Sequence, residues 1–207
     1  VAQRNAVAGT SICERNPLHA DHYADRAVQA RVVVVENVQL ACDTYRLRFE
    51  CPAIARRIVP GQFLMLRMSG INDPLLGRPL ALYQTIDDDA GRPTAIDVVY
   101  ATFGKMTRRL TMAKPGDAFD VWAPLGNGFP PAVADHLIMV AGGIGQTPFL
   151  ALGQEYLGRR QYGDPPRAMS RARKVTLCYG VRSANRSACV PDFESAGFDV
   201  RLASDDG

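Results

Sequence analysis

The sequence predicts two domains, an antiparallel β-barrel followed by an α/β domain with a parallel sheet, and three observations carry this prediction. Short β-rich runs separated by turn residues fill residues 27–131. From residue 132 the pattern changes to strand, glycine turn and helix, as HLIMVAGGIGQTPFLAL (136–152) illustrates. Such alternation is typical of a parallel sheet. Only three such strands occur within residues 132–207, so we expect this α/β domain to be incomplete, truncated at its C-terminus.

Length and composition bound the class of protein. The chain has 207 residues, 47% of them hydrophobic, which is enough to build two modest cores. Its formal net charge is +3, basic and acidic residues are interspersed, and no apolar run is long enough to span a bilayer. We therefore expect no nucleic acid and no membrane among its partners, and a cytoplasmic location. Residues 1–26 lack sustained periodicity and are predicted to form a poorly ordered extension.

The elements of each domain follow from local patterns. The barrel strands are predicted in ARVVVVENVQL, TYRLRFEC, GQFLMLRM and AIDVVYAT, which are rich in β-branched and aromatic residues. FGKMTRRLTMA instead has apolar residues at helical spacing and ends at the stop signal 114–116, which predicts one short helix inside the barrel. In the second domain the strands are HLIMVAGG, KVTLCYG and FDVRLAS, with a helix from Pro148 and a short helical piece over 192–196.

Cysteines and histidines show no recognisable metal-binding pattern. The five cysteines are scattered without a C-x-x-C pair, and we assign no metal ligand among them. His19 and His22 lie near Cys13, which raises a metal site as an alternative. That segment is polar and unpatterned and offers no rigid frame for ligands, so the prediction is that no metal is bound there.

The glycine turn of the second domain is the first candidate binding site. Gly142, Gly143 and Gly145 follow an apolar strand and precede a helix. Bare backbone admits a ligand closely, and the free amides at a helix start attract phosphate. The pattern is G-G-x-G-x-x-P rather than the G-x-G-x-x-G fingerprint, so a dinucleotide site and a purely structural tight turn both remain open.

Six motifs occur in a characteristic order: PGQFLML, GRPLAL, VVYATFGKMT, KPGDAFDVWAPLGNGF, VAGGIGQTP and CYGVRS. Together they resemble the ferredoxin-NADP reductase superfamily, specifically the PyrK-type electron-transfer subunit of bacterial dihydroorotate dehydrogenases, over residues 30–207. The resemblance implies an FAD-binding barrel (27–131) and an NAD-binding α/β lobe (132–207). It also implies a [2Fe-2S] cluster, held by four cysteines in a C-terminal segment that is absent from this chain.

The motif GRPLAL is expected to line the flavin. Pro79 biases Arg78 toward an extended backbone, from which its guanidinium grips the FAD pyrophosphate, whereas a surface arginine in a turn is the plain alternative. Leu80 and Ala81 are expected to run beside the isoalloxazine ring. Family members often carry serine at the position of Ala81, so a hydroxyl contact to the flavin is missing here.

The motif VVYATFGKMT is expected to contribute a strand and a helix start. Val99, Tyr100 and Ala101 match a strand that passes the flavin, where Tyr100 stacks on the cofactor or hydrogen-bonds to it. The family commonly has arginine in place of Ala101. The helix start, at which an ordinary capped helix is the alternative, supplies the remaining predicted pyrophosphate contacts: Gly104, Met106, which replaces a family glycine, and the Thr107 hydroxyl.

In the second domain the resemblance makes Gly142, Gly143 and Gly145 the nucleotide cradle, while Thr147 caps the helix or touches the ligand. Gly180 and Arg182 are expected just beyond the second strand, at the carboxyl edge where open α/β sheets bind ligands. Arg182 then contacts the adenosine ribose or a phosphate. A solvated arginine at a strand end is the alternative.

The function implied is that of an electron-transfer flavoprotein. NADH passes a hydride to FAD, electrons leave singly through the iron–sulfur cluster, and a partner catalytic subunit links them to dihydroorotate oxidation in pyrimidine biosynthesis. The cofactors carry the chemistry, so no catalytic side chain is assigned. Two alternatives stay open: a related NAD(P)H reductase subunit of a hydrogenase, sulfur or oxygenase system, and a cofactor-free regulatory subunit that keeps the fold.

Overall fold

The computed structural model describes residues 27–207, and the expected extension 1–26 lies outside them. The first lobe contains seven strands and two short helices. They are β1 (Val28–Ala41), β2 (Thr44–Glu50), α1 (Pro52–Ala55), β3 (Phe63–Met68), β4 (Arg78–Ala81), β5 (Gln84–Asp87), β6 (Pro93–Ala101), α2 (Lys105–Leu110) and β7 (Ala118–Leu125). The strands form one curled antiparallel sheet in the order β4-β3-β7-β1-β2-β6-β5.

The second lobe is a small α/β unit. Its elements are β8 (His136–Gly142), α3 (Phe149–Tyr156), β9 (Lys174–Val181), α4 (Val190–Ser195) and β10 (Asp199–Ser204). The three strands are parallel in the order β10-β9-β8. The predicted fold class, an antiparallel β-barrel followed by an α/β domain with a parallel sheet, is therefore confirmed, the first sheet being a curled half-barrel with β4 and β5 at its edges. The predicted boundary at 131/132 falls in segment 126–135, between β7 and β8.

Strand β6 separates the two hydrophobic cores. Six consecutive residues of this strand, 95–100, are buried, so both of its faces are covered. Tyr100 packs into the core of the first lobe, whereas Val99 packs into a second core shared with the α/β lobe. A strand buried on both faces shows no polar alternation. β6 therefore packs against the hydrophobic cores of both lobes.

Segment 126–135, which joins the lobes, is held along its length. The amide of Phe129 donates to the Pro60 carbonyl at 2.9 Å, and Arg167 donates to the Phe129 carbonyl at 2.6 Å. Arg167 also forms two hydrogen bonds, at 2.8 and 2.6 Å, with the buried carboxylate of Glu155 on α3. Further along, the amide of Ala132 donates to the Tyr156 hydroxyl at 3.2 Å. The segment is thus fastened to both lobes by hydrogen bonds.

A buried tyrosine connects the lobes at a second place. Tyr83, between β4 and β5, is fully buried, and its hydroxyl donates to a carboxylate oxygen of Asp192 on α4 at 2.6 Å. Its ring meets Phe193 edge-on. Burial, reinforced by Cys189 and Asp192, raises the pKa of Tyr83 far above its ordinary value, so the hydroxyl remains a donor. Among residues 27–207, no helix has the length and apolar character needed to cross a membrane.

We predict that Tyr83→Phe destabilises the folded chain more than Tyr162→Phe does. Tyr83 loses a charge-assisted hydrogen bond, worth about 1.5–3 kcal/mol, whereas Tyr162 loses a neutral bond to Gln154, worth about 1 kcal/mol. Both hydroxyls belong to buried residues, which makes the pair a matched comparison. Urea denaturation monitored by fluorescence measures the difference. Equal losses of unfolding free energy would contradict the role given to the Tyr83–Asp192 contact.

Candidate functional site

A cleft of about 630 Å³ lies between the lobes, where strands β6, β8 and β9 end. This volume is in the range of small-molecule and cofactor sites. The first lobe contributes Asp43, Thr44, Ala101, Thr102 and Phe103, and the second contributes Gly142, Gly143, Ile144, Tyr179, Val181, Arg182 and Arg186. Four predicted site residues therefore meet here: Ala101, Gly142, Gly143 and Arg182.

The glycine loop forms one wall of the cleft. β8 ends in extended conformation at Gly142, and Gly143 opens a 3₁₀ turn, with a φ of +53° that favours glycine. A Cβ on Gly142, Gly143 or Gly145 would meet no other atom within 4 Å. The backbone conformation of the turn thus explains why glycine is needed at position 143, but not at positions 142 and 145. Open space in front of the other two glycines favours the close approach of a ligand.

The helix after the glycine loop starts later than the sequence predicts. The 3₁₀ turn Gly143–Gln146 comes first, Pro148 takes the N-cap position, and α3 begins at Phe149. Thr147 is buried and does not cap the helix. Its predicted capping role is therefore wrong.

Gly180 lies inside β9, not just beyond it as predicted, because that strand continues to Val181. It pairs with Gly142 of β8, so two glycines stand side by side near the strand ends. Arg182 follows the strand and is exposed at the cleft, and no ion pair between residues 27–207 includes it. Neighbouring Arg186 instead pairs with Asp43 across the lobes at 2.9 Å. The Arg182 guanidinium is thus available to an anionic ligand.

The GRPLAL segment lies on an edge of the large sheet. β4 pairs only with β3, so one side of its backbone has no strand partner. Arg78 and Pro79 are exposed, and the Arg78 side chain donates to the carbonyl of Gly77 at 3.1 Å. Leu80 is buried, while Ala81 is half-buried. An edge strand with an exposed guanidinium can offer backbone and charged contacts to a bound molecule.

The loop before β4 is tied to the start of α2. Lys105 forms an ion pair with Asp73, and Arg109 donates to the carbonyl of Asp73. The hydrogen bond from Lys105 lowers the pKa of Asp73. These contacts link the segment leading to Arg78 with the helix predicted to meet the same pyrophosphate.

Two side chains of the α2 start face inward. The Thr107 hydroxyl accepts hydrogen bonds from the amides of Phe103 and Gly104 at 2.9 and 3.1 Å, so it caps the helix. Met106 is 1% exposed and belongs to the core of the first lobe. The predicted pyrophosphate contacts through these two side chains are therefore not supported. Gly104 remains exposed, with open space where a Cβ would lie.

The ring of Tyr100 also points away from the cleft. It stacks on Tyr45, with ring centres 5.7 Å apart, and its hydroxyl donates to Asn37 at 3.1 Å. Burial raises the pKa of Tyr100 above its ordinary value. The expected stacking of this ring on a cofactor is thus wrong in this structure. Val99 is likewise buried, which leaves the backbone of this strand end and Ala101 facing the cleft.

The sequence prediction missed Phe103, whose side chain is 85% exposed at the cleft. An aromatic ring held in solvent beside a cofactor-sized cavity is a natural stacking surface. The available signal was its position between a β-rich run and the glycine that starts a helix. Elsewhere, no group of three metal-ligating side chains occurs among residues 27–207, and His19, His22 and Cys13 fall outside them.

Comparison with known proteins identifies the first lobe. Residues 31–129 match the oxidoreductase FAD-binding domain family. The chain is 33% identical, over 184 residues, to the dihydroorotate dehydrogenase B (NAD(+)) electron transfer subunit of Desulforamulus reducens, covering 88% of this chain and 63% of that protein. The subunit of the same name from Geobacillus thermodenitrificans is 33% identical over 181 residues, covering 86% and 63%. The chain thus spans somewhat less than two thirds of the length of these relatives.

Solved structures share the fold at lower identity. An NADH-dependent reduced ferredoxin-NADP oxidoreductase superposes with a TM-score of 0.68 at 22% identity, covering 86% of this chain and 58% of the other. Phthalate dioxygenase reductase gives 0.65 at 20% identity, covering 86% and 52%. In sequence the chain is therefore similar to dihydroorotate dehydrogenase B electron transfer subunits, as its motifs predicted, and it shares its fold with these solved reductases.

Proposed function

We propose that this chain binds FAD on its first lobe and NAD(H) on its second, and that it carries electrons between NAD(H) and a dihydroorotate dehydrogenase catalytic subunit in pyrimidine biosynthesis. The observation that carries the proposal is the cleft, where open glycine backbone of one lobe faces an exposed aromatic ring and a strand end of the other. Its similarity to electron transfer subunits supplies the partner. A cytoplasmic location is part of the same proposal.

The residues present fit the two cofactors. For FAD, the exposed Arg78 would hold the pyrophosphate, the free edge of β4 would meet the flavin ring, and Phe103 would cover an aromatic face. For the nicotinamide nucleotide, Gly142 and Gly143 would admit the ligand against bare backbone, and Arg182 would bind a phosphate or the ribose. When bound, FAD accepts a hydride and releases electrons one at a time.

The protein's own contribution is binding, orientation and exclusion of water. Held between the lobes, the two ring systems would be brought to one cleft, which lowers the entropic cost of hydride transfer. No side chain at the cleft needs to act as an acid or a nucleophile. Hydrogen bonds of Tyr83 and Arg167 at the junction of the lobes connect the two half-sites.

The four described cysteines are poor candidates for iron–sulfur ligands. Buried Cys51 and Cys189 have raised thiol pKa values, to about 11 for Cys189, mainly because burial disfavours the thiolate that binds metal. Cys178 lies on β9, whereas Cys42, Cys51 and Cys189 lie in three different connections between elements. We therefore assign none of these four as a ligand.

We predict that Arg78→Ala weakens FAD binding about 10- to 100-fold while leaving the stability of the fold unchanged. The change removes a charge-assisted contact worth about 1.5–3 kcal/mol, and its side chain is exposed in the free protein. Flavin retained after dialysis, together with the melting temperature, provides the measurement. Arg201→Ala, which removes an exposed arginine from the second lobe, is the control. Full flavin retention by the Arg78 variant would remove this residue from the pyrophosphate site.

We predict that Gly143→Ala slows flavin reduction by NADH at least tenfold with FAD still bound, because the added methyl group lies where the nucleotide must approach. Gly116→Ala is the matched control, since Gly116 also has a positive φ and open space around its Cβ position but lies away from the cleft. Stopped-flow measurement of flavin bleaching at varied NADH concentration compares the two. Similar reduction rates in both variants would mean that backbone strain alone, and not a nucleotide, explains the glycine.

We predict that the 207-residue chain, purified anaerobically, holds about one FAD and essentially no iron. A flavin absorbance spectrum and an iron assay on the same sample measure both. Absence of flavin would favour the cofactor-free alternative. Two irons per chain would show that cysteines within these residues bind a cluster after all.

A further inference from the structure

A second cavity, of about 750 Å³, lies at the far end of the lobe interface. Arg56, which follows α1, and the turn between β5 and β6 supply its first-lobe side. Segment 158–171, the basic stretch between α3 and β9, supplies the other side. We call this site the arginine cavity, after the five arginines that line it: Arg56, Arg92, Arg159, Arg160 and Arg171.

The arginine cavity carries more positive than negative charge. Only two carboxylates, Asp87 and Asp164, are among its lining residues. Asp87 pairs with Arg160, and Arg92 donates two hydrogen bonds to Asp88, which lies outside the lining. No ion pair between residues 27–207 includes the other three lining arginines. Five arginines against two carboxylates leave the lining with an excess of positive charge, which attracts anions.

Two of these arginine side chains pack against glycines of the second lobe. Arg171 lies across Gly158, where an added Cβ would overlap its Nε, and Gly158 has a φ of +65°. Arg159 lies across Gly197 in the same way and donates to the Ser195 carbonyl at 3.1 Å. Positioned arginines lose less side-chain entropy on binding than free ones do.

The arginine cavity is distinct from the cofactor cleft. Pro93, at one end of β6, lines the arginine cavity, whereas Ala101, at the other end, lines the cleft. At about 3.3 Å per residue, these two ends are roughly 26 Å apart. The proposed flavin and nicotinamide sites therefore do not account for the charge gathered here.

We propose that the arginine cavity binds a small ligand by its oligophosphate chain, the group shared by nucleoside di- and triphosphates and inorganic polyphosphates. Besides charged residues, the lining consists of glycines, two prolines and Gln161, with no aromatic ring to hold a base. Guanidinium groups approach from both lobes, which suits a chain of several phosphates better than one compact ion. The ligand bridges the lobes at the end opposite the cleft.

Isothermal titration of the 207-residue chain with tripolyphosphate, adenosine triphosphate and uridine triphosphate, at about 0.15 M salt, tests the site. We expect one site per chain, unaffected by saturating NADH. Arg56→Gln and Arg171→Gln should each weaken binding about tenfold, the effect of losing one charged hydrogen bond. Arg57→Gln removes the same charge from the adjacent exposed residue, which does not line the cavity, and should weaken binding less than about twofold.

The three ligands separate the possible sources of the phosphate chain. Equal affinities would show that the phosphates alone are recognised, and tighter binding of the nucleotides would show that they are the preferred carriers; both results support the site. No binding of any of the three would overturn it. Equal weakening by all three arginine variants would also overturn it, because diffuse attraction to a basic surface would then suffice. Unchanged melting temperatures confirm that the variants fold, and none of these results depends on flavin content.

Discussion

The hydrogen bond from the buried Tyr83 to Asp192 joins a connection of the large sheet to a helix of the α/β lobe. Tyr83 belongs to the same hydrophobic cluster as Val99, so this hydrogen bond lies close to β6, the strand that separates the two cores. The cleft lies where β6 ends beside the ends of β8 and β9. A shift of one lobe against the other would therefore separate the glycine loop from Phe103 and unmake the site without altering either lobe.

The order and type of most elements could be predicted from sequence, because local chemistry sets them. β-branched runs bounded by turn residues predicted seven of the ten described strands but not β4, β5 and β7, and Met106 and Leu110 at helical spacing predicted α2. The glycine turn after HLIMVA was also located correctly. The 3₁₀ turn before α3 was not, since a positive φ at Gly143 and the position of Pro148 decide it, and neither has a periodic signature.

Side-chain direction was the part that sequence could not supply. β6 is buried on both faces, so its residues show no alternation of polar and apolar types from which the direction of Tyr100 could be inferred. The hydroxyl of Thr107 had two possible partners, a ligand or the amides of its own helix, and only the three-dimensional structure shows that it bonds the amides. Motif resemblance locates a segment at a site, but it does not say which atoms of that segment face the ligand.

The hydrogen bonds that hold segment 126–135 affect how lobes could be exchanged between related proteins. Two lobes with separate sheets suggest modules that could be exchanged at the connection between them. Here Arg167, which lies beyond α3, bonds the carbonyl of Phe129 and the carboxylate of Glu155 together. In a chimera joined between β7 and β8, Arg167 and Glu155 could come from one parent and the segment that carries the Phe129 carbonyl from the other. The hydrogen bond from Arg167 to this carbonyl would then depend on a segment of different sequence. Successful exchange of lobes must therefore carry the connecting segment and the α3–β9 loop as one unit.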